Sequence, residues 1–182
     1  MDNAKQQLRK KMLQLRDQLP SKEISEKSET ISKKLFELSG IKDAKTIAFY
    51  ISKGSEVDTI KMIEQARTKR KKILVPVTND EIELVEFTSF ADLAQGQFGV
   101  LEPKTKIKSK CVPDVIIIPG LAFDLDLHRL GYGKGYYDRV LKKLSSFRVG
   151  LCYDFQLIDT IPKHEYDERV NCVVSESRIL QI

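Results

Sequence analysis

A glycine-rich segment, Arg129 to Arg139, contains the residues whose types and spacing best fit a chemical role. Its glycines, Gly131, Gly133 and Gly135, occupy alternate positions, and Lys134 lies between two of them. Glycine lets backbone N–H groups approach a bound anion closely and permits a positive φ. A helix is expected to begin after Gly135, so that its amino terminus points at the same anion.

Charged residues in the segment extend this interpretation. Arg129 and Lys134 add fixed positive charge, and Asp138 adds an oxygen ligand suited to a phosphate-bound Mg²⁺. The sequence therefore predicts a site for a nucleotide polyphosphate and its metal. The spacing fits neither a P-loop, which has Ser or Thr where Gly135 stands, nor a dinucleotide fingerprint, whose third glycine comes one residue later. The glycines alone are equally compatible with a tight turn before a helix.

Charged residues elsewhere in the chain could join this site. Lys5 and Arg9 are four residues apart on a predicted helix, so they share one face and can reach one anion together. Glu56 follows the first predicted strand, where it could project into the same cleft or begin the next helix, since acids there favour the helix dipole. Asp167 precedes a late strand and by itself would be a surface acid.

The apolar pattern predicts two opening helices followed by alternating strands and helices. The first helix would bury four apolar residues at helical spacing and end at Pro20: Leu8, Met12, Leu15 and Leu19. The second would begin with Ser21 as its N-cap and end at Gly40. Strands are expected over 46–51, 73–77, 82–87, 114–118, 147–152, 170–174 and 178–182, with a helical turn or two over 90–95 and helices after Asp58 and Gly135. This pattern predicts an α/β fold, one domain over residues 1–182, with a mostly parallel central sheet and function at the loops after strand carboxyl ends.

Composition supports a globular protein and leaves its partner open. The chain has 182 residues, 41% hydrophobic and 31% charged, and no apolar run approaches the ~20 residues of a membrane span. Three cysteines without metal-ligand spacing and a start without an apolar leader predict a cytoplasmic location. The net charge of +5 suits nucleic acid or small anions such as ATP, although its densest source, residues 69–72, is typical of a solvated helix end. His128 and His164 are expected to be structural or exposed, and no Ser-His-Asp or Cys-His arrangement stands out.

Several motifs together resemble one protein family. The segment Pro119 to Asp124, followed by the glycine-rich segment, is similar to the 5-formyltetrahydrofolate cyclo-ligases, also called 5,10-methenyltetrahydrofolate synthetases. The resemblance extends over essentially the whole chain through Lys5 and Arg9, Tyr50-Ile51-Ser52 with Glu56 and Thr59, Phe98 to Pro103, Tyr153-Asp154 with Gln156, and Asp167 before Val170. The chain departs from the family pattern at Leu127, where glycine is usual, and at Asn171, which replaces an acid.

This resemblance implies a three-layer αβα sandwich and an enzyme that converts 5-formyltetrahydrofolate to 5,10-methenyltetrahydrofolate with ATP and Mg²⁺. In the implied mechanism the formyl oxygen attacks the γ-phosphate of ATP, N10 of the folate closes on the activated carbon, and phosphate leaves. Catalysis is assigned to Arg129, Lys134 and Asp138, and Mg²⁺ binding to Asp138 and Asp167. Folate binding is assigned to Ile51, Glu56, Tyr136 and Tyr137. ATP binding is assigned to Lys5, Arg9, Arg129, Leu130, Gly131, Tyr132, Gly133, Lys134, Gly135, Tyr136 and Tyr137.

Two other function classes stay open on the residues alone. A basic RNA- or nucleotide-binding module without turnover would also use lysine, glycine and tyrosine, but Glu56 and Asp138 would repel a nucleic-acid backbone. A phosphosugar isomerase or acyl-CoA transferase on a related sandwich would need neither the Lys5 and Arg9 pair nor the glycine-rich segment. We expect a monomer with neither nucleic-acid nor membrane partners. Residues 69–72, or the general positive charge, could attract the glutamate tails of cellular folates.

Overall fold

A computed structural model describes residues 2–79, 81–96, 99–104, 107–163 and 167–182 of the chain. Its helices are α1 (Asp2–Asp17), α2 (Ser21–Glu37), α3 (Ser39–Asp43), α4 (Ile60–Thr68) and α5 (Tyr136–Lys143). Its strands are β1 (Thr46–Ala48), β2 (Lys72–Thr78), β3 (Ile82–Glu86), β4 (Leu93–Gln95), β5 (Leu101–Pro103), β6 (Val115–Pro119), β7 (Ala122–Asp124), β8 (Arg129–Leu130), β9 (Phe147–Leu151), β10 (Leu157–Ile158), β11 (Cys172–Val174) and β12 (Ile179–Gln181). The predictions on Phe98 and His164 lie outside the described residues.

Parallel strands dominate the central sheet. In the described part of the chain this sheet has seven strands, in the order β12-β11-β9-β6-β1-β2-β3. The strands from β11 to β2 run parallel, while β12 and β3 add antiparallel edges. The middle strand, β6, is buried along nearly its whole length, as expected for a β-branched strand covered on both faces. The carboxyl ends of the parallel strands therefore lie along one edge of the sheet.

Helices cover both faces of the sheet, which confirms the predicted αβα sandwich. Ile117 of β6 lies in one buried cluster with Leu35 of α2 and Ile63 of α4. The neighbouring Ile116 lies in a second buried cluster with Leu141 of α5. The two clusters are on opposite faces, because successive side chains of a strand point to opposite sides of its sheet.

A small sheet carries α1 beside the sandwich. Its strands have the order β10-β7-β8, with β10 parallel and β8 antiparallel to β7. Met12 of α1 belongs to a buried cluster with Leu121, Leu130 and Ile161 around this sheet. This packing fixes α1 against the β7–β8 hairpin. Within the described ranges, no helix is long and apolar enough to cross a membrane.

Some predicted boundaries are wrong because packing or a neighbouring residue overrides the local signal. Leu15 is 39% exposed, since the buried face of α1 centres on Met12. Pro20, which has extended backbone angles, occupies the N-cap of α2, and Ser21 is already the first helical residue. Gly40 lies inside α3 rather than ending α2. Residues 90–92 form a helical turn within the predicted range 90–95, but residues 93–95 form β4. Strands β1 and β11 are shorter than predicted.

Candidate active site

The glycine-rich segment connects the small sheet to α5. The chain leaves β6 at Pro119, forms the β7–β8 hairpin, and returns through Arg129 into the segment. Sequence analysis missed this hairpin because its strands have only three and two residues. We call residues 131–135 the glycine loop and residues 50–59, which follow β1, the carboxylate loop. The carboxylate loop lies beyond the carboxyl end of the parallel strand β1, as predicted, whereas the glycine loop follows β8, which is antiparallel to β7 in the small sheet.

Arg129 is a buried cation at the entrance to the glycine loop. It is 8% exposed, and its Nη2 donates a hydrogen bond to Oδ1 of Asp138 at 3.2 Å. Its Nη1 donates to the Pro119 carbonyl at 3.4 Å, and its Cζ lies 5.3 Å from the ring centroid of Tyr137. Its Nε is buried and has no hydrogen-bond partner among the described residues. A buried donor without a partner carries a desolvation penalty, so this atom points to a place where an anionic ligand would be stabilised.

The glycines of the loop allow close approach of cations and a left-handed backbone. A Cβ atom on Gly131 would overlap Nη1 of Arg129. Gly133 has a φ of 95°, and a Cβ there would lie 3.2 Å from Cζ of Arg9. Gly135 has a φ of 66° and forms the N-cap of α5 without a side-chain hydrogen bond to the helix. Because glycine has no side chain, its position leaves the first N–H groups of α5 without a cap from the N-cap residue, which is an arrangement that favours an anion.

Helix α1 brings two predicted phosphate ligands to this loop. Nε of Arg9 donates to the Gly131 carbonyl at 2.9 Å. Lys5, one turn earlier, is 5% exposed and forms an ion pair with Asp167. Lys5 and Asp167 come from opposite ends of the sequence and are paired in the structure, and Arg9 contacts the glycine loop; their roles at the site stay predictions. Pairing with Asp167 offsets the burial of the Lys5 charge.

Glu56 is held over the glycine loop from the carboxylate loop. Its Oε2 accepts a hydrogen bond from the Lys53 backbone N–H at 3.0 Å. Its Oε1 accepts one from the Tyr132 hydroxyl at 3.2 Å. Burial raises the pKa of Glu56, and the nearby Arg16 guanidinium opposes this rise. Tyr132 is itself 54% exposed, so this contact lies at the protein surface.

The remaining predicted site residues differ in how they are placed. Leu130 is buried between the small sheet and α1, and the Ile51 side chain is buried in the core, so only backbone atoms of these two could face a ligand. Lys134 is exposed, and its carbonyl accepts a hydrogen bond from Arg139. The ring centroid of Tyr136 lies 4.9 Å from Cζ of Arg139. Tyr137 is partly buried, and burial raises its pKa, so its hydroxyl stays protonated.

The two predicted metal ligands each face a cation. Asp138 pairs with Arg129, and Asp167 pairs with Lys5. Among the described residues, no group of three or more His, Cys, Asp and Glu side chains is arranged to hold a metal ion. Mg²⁺ is commonly bound by one or two carboxylates together with substrate phosphates and waters. Asp138 and Asp167 offer ligands of this type, each of them paired with a cation in the structure.

Arg16 is the main residue of this region that sequence analysis missed. It is 4% exposed, and its Nη2 donates to the Tyr132 hydroxyl at 2.7 Å while its Nε donates to Ser55 Oγ at 3.1 Å. A signal for it exists in the sequence, because positions 5, 9 and 16 fall on one face of a helix with 3.6 residues per turn. Because α1 is basic along its length, this face could not be distinguished in the sequence from the solvated lysines of the same helix.

A buried carboxylate that was not nominated from the sequence, Asp124, fixes the turn that precedes Arg129. Asp124 is fully buried and accepts hydrogen bonds from the backbone N–H groups of Asp126, His128 and Ile161. His128 lies with Nδ1 3.3 Å from Oδ1 of Asp124, and its Nε2 accepts a hydrogen bond from Arg169 at 3.0 Å. The prediction that His128 is structural agrees with this geometry. These contacts fix the β7–β8 turn next to the glycine loop.

The basic run at residues 69–72 lies away from the candidate site. It leads into β2, which begins at Lys72, and so lies at the amino end of a parallel strand, whereas the carboxylate loop follows a carboxyl end. Nζ of Lys71 donates to the Lys42 carbonyl at 2.8 Å, and Lys72 pairs with Glu86. Lys69 Nζ lies 5.1 Å from the Phe36 ring centroid. This geometry favours a structural role for the run over a role in binding folate tails.

Comparison with known proteins gives the class of this α/β protein. The model of the 5-formyltetrahydrofolate cyclo-ligase family matches residues 1–176. The 5-formyltetrahydrofolate cyclo-ligase of Escherichia coli K12 is 31% identical over 147 residues, which cover 75% of this chain and 80% of that protein. The NMR structure of Aquifex aeolicus 5,10-methenyltetrahydrofolate synthetase superimposes with a TM-score of 0.87 at 36% identity, covering 97% of this chain and 92% of that one. A Mycoplasma pneumoniae 5,10-methenyltetrahydrofolate synthetase gives 0.73 at 28% identity, covering 94% and 98%.

The chain belongs to the 5-formyltetrahydrofolate cyclo-ligase family. The resemblance inferred from the glycine-rich segment and the distant motifs is thereby confirmed, as is the prediction of an enzyme of this family. The roles of individual site residues stay predictions.

Proposed function

We propose that this chain is an ATP- and Mg²⁺-dependent 5-formyltetrahydrofolate cyclo-ligase that forms 5,10-methenyltetrahydrofolate, ADP and phosphate. The observation that carries the proposal is the 3.2 Å hydrogen bond from the Tyr132 hydroxyl to Glu56. It joins the glycine loop, whose chemistry suits phosphates, to the carboxylate loop, whose chemistry suits a folate. A reaction between ATP and a folate needs these two sites side by side, because positioning the reactants supplies much of the rate.

The ATP phosphates would bind over the glycine loop, among Lys5, Arg9 and Arg129. Within the described part of the chain, Nε of Arg129 has no hydrogen-bond partner and the N-terminus of α5 has no side-chain cap, and both features support this assignment. Lys134 is exposed between two glycines and would add positive charge from the solvent side. In phosphoryl transfer the protein contributes mainly positioning and neutralisation of charge, with little covalent chemistry, so no nucleophile is required.

The folate would bind against the carboxylate loop. The guanidine-like edge of the pterin presents N–H donors, and a carboxylate can accept two of them with charge-assisted hydrogen bonds. Glu56 is half-buried and already held at both oxygens, which supports it as the pterin acceptor. Backbone atoms of Ile51 and the rings of Tyr136 and Tyr137 would form the walls of this site.

The proposed reaction has two bond-forming steps. The formyl oxygen attacks the γ-phosphorus of ATP, and the bond from that phosphorus to the bridging oxygen of ADP breaks. N10 of the folate then attacks the activated formyl carbon and loses its proton, and the carbon–oxygen bond breaks to release phosphate. The cations around the glycine loop would hold the γ-phosphate in line with the formyl oxygen, while Glu56 fixes the pterin.

Mg²⁺ would be held by Asp138 and Asp167 together with the ATP phosphates. When bound, the ion supplies neutralisation of charge on the β- and γ-phosphates. Arg129 and Lys5, which pair with these carboxylates, keep them oriented toward the glycine loop. The monomeric state, the cytoplasmic location, the single domain over 1–182 and the use of polyglutamylated folate stay predictions from the sequence.

One assay tests the proposal. The protein is mixed with 5-formyltetrahydrofolate and MgATP, and the methenyl product is followed by its near-ultraviolet absorbance. We expect product in the full mixture, and none when ATP is omitted or replaced by an analogue that cannot transfer its γ-phosphate. Excess EDTA is expected to stop the reaction, and added Mg²⁺ to restore it. A folded, monodisperse protein that forms no product in the full mixture would overturn the proposal.

A further inference from the structure

Arg16 joins three segments that are distant in the sequence. It extends from α1, its Nε contacts Ser55 in the carboxylate loop, and its Nη2 contacts the Tyr132 hydroxyl of the glycine loop. Ser55 also donates a hydrogen bond to Asp17, the last residue of α1. A guanidinium suits this position, because its planar fork can bond two partners at once.

The Tyr132 hydroxyl links Arg16 to Glu56. It accepts the hydrogen bond of Arg16 at 2.7 Å and donates its own proton to Oε1 of Glu56 at 3.2 Å. The centroid of its ring lies 5.9 Å from Cζ of Arg16. The backbone of Tyr132 meanwhile stands between Gly131 and Gly133 in the glycine loop. The main chain of Tyr132 thus forms part of the glycine loop, and its side chain contacts Glu56, the proposed pterin acceptor.

We propose that Arg16 and the Tyr132 hydroxyl are positioning residues that couple the glycine loop to Glu56, so that each substrate strengthens the binding of the other. The proposal rests on the proposed function, since it takes Glu56 as the pterin acceptor and the glycine loop as the phosphate site. A phosphate that orders the loop backbone also fixes the Tyr132 hydroxyl, and hence the Glu56 carboxylate. By thermodynamic linkage, a folate that orders Glu56 must favour phosphate binding by the same factor.

Electrostatics support the same pair of residues. Glu56 must be ionised to accept hydrogen bonds from the pterin, but burial raises its pKa. The Arg16 guanidinium opposes that rise, so it keeps the carboxylate in its binding form. The other titratable groups that face Glu56 are Lys53 of its own loop, Tyr132 of the glycine loop, Tyr50, and Tyr137 of α5.

Calorimetric binding of both ligands tests the coupling. The affinity of a non-hydrolysable ATP analogue with Mg²⁺ is measured with and without saturating 5-formyltetrahydrofolate, and the reverse titration checks that the two factors agree. We expect the wild type to bind each ligand about fivefold or more tightly in the presence of the other. In Tyr132→Phe, which keeps the ring and removes the hydroxyl, we expect this factor to fall close to one. Arg16→Lys, which keeps the charge and removes the planar guanidinium, is expected to lose most of this coupling factor as well.

Matched controls separate coupling from folding. Lys11→Gln removes one positive charge from an exposed position of the same helix and should keep the wild-type factor. Thermal unfolding of each variant checks that the fold persists. If Tyr132→Phe retains the wild-type coupling factor, the proposal is overturned. The same holds if the variant binds both ligands equally more weakly while each ligand still tightens the binding of the other by the wild-type factor. A wild type that turns over substrate but binds the two ligands independently also overturns it, whereas a wild type without turnover contradicts the proposed function itself.

Discussion

The Tyr132 hydroxyl donates a hydrogen bond to Oε1 of Glu56, 3.2 Å away, although the two residues are 76 positions apart. The contact brings the loop proposed to bind phosphates against the carboxylate proposed to hold the pterin edge. Because Arg16 of α1 donates a hydrogen bond to the same hydroxyl, α1 holds this contact in place. Under the proposed function, this relationship joins two separate sequence motifs into one two-substrate site.

Asp138→Asn is expected to lower kcat by about 100-fold or more, the scale found when one interaction with the developing charge is removed. The fold should persist, because the asparagine carbonyl can still accept the hydrogen bond from Arg129. Steady-state kinetics with a circular-dichroism melt measures both effects. Glu29→Gln, which changes an exposed acid on α2, is the matched control and should retain wild-type kcat. Wild-type turnover in Asp138→Asn would refute the metal-ligand assignment.

The pH dependence of kcat/KM for the folate should report Glu56. Burial raises the pKa of Glu56 above its ordinary 4.5, so the carboxylate protonates and folate use falls while exposed acids are still ionised. A group with a raised folded pKa stabilises the fold at low pH and loses that contribution as the pH rises, so protonation of Glu56 does not itself destabilise the fold. Glu56→Gln should lower kcat/KM for the folate by about 10- to 100-fold, the equivalent of one charge-assisted hydrogen bond. The variant should also lack the acid limb, and an unchanged limb would exclude Glu56 as its source.

Gly131→Ala should inactivate the protein while Gly40→Ala should not. A Cβ on Gly131 overlaps Nη1 of Arg129, so the guanidinium must shift, and we expect its hydrogen bond with Asp138 to be disturbed. A misplaced cation in such a site is expected to lower kcat/KM by about 100-fold. Gly40 lies in α3, where a Cβ would be 3.7 Å from Phe147, so alanine is expected to stabilise the fold by up to about 1 kcal/mol. Parallel kinetics and denaturant unfolding measure the pair, and equal kinetics would contradict the close-packing argument.

Leu127→Gly should destabilise the protein even though it restores the residue usual in the family. Leu127 has a φ of 66°, a conformation that favours glycine, and relieving its strain would return about 1–2 kcal/mol. Its side chain is 2% exposed in the cluster with α5, and losing a buried leucine costs about 2–5 kcal/mol. We therefore expect a net loss of about 1–3 kcal/mol in the free energy of unfolding, measured in urea. A more stable variant would show that the strain outweighs the packing.

The sequence predicted those parts of the fold that rest on strong local signals. The β-branched run at β6 was recognisable because apolar side chains fill both faces of a covered strand, and β3 was recognisable because apolar and polar side chains alternate along a half-exposed one. The β7–β8 hairpin was not, because strands of two or three residues carry no periodicity and are held by the buried Asp124 carboxylate. Gly40 and Leu15 were misjudged because neighbouring packing, rather than the local pattern, sets their places.

The candidate site was predicted to a similar degree. Lys5, Arg9 and Asp138 could be nominated because their charge sits at motif positions, and the structure brings them to the glycine loop. Arg16 could not be separated from the other cations of α1, since its burial depends on Ser55 and Tyr132 from two distant loops. Which of several equal charges becomes buried is decided by tertiary contacts, and a single sequence does not contain them.

The most direct test of the account follows the formyl oxygen. The central claim is that a folate bound at Glu56 attacks the γ-phosphate of an ATP held by the glycine loop. 5-Formyltetrahydrofolate labelled with ¹⁸O in its formyl group is incubated with MgATP, and the released phosphate is analysed by mass spectrometry. The account predicts one ¹⁸O atom in phosphate for each methenyl product formed. Unlabelled phosphate alongside labelled water would contradict it.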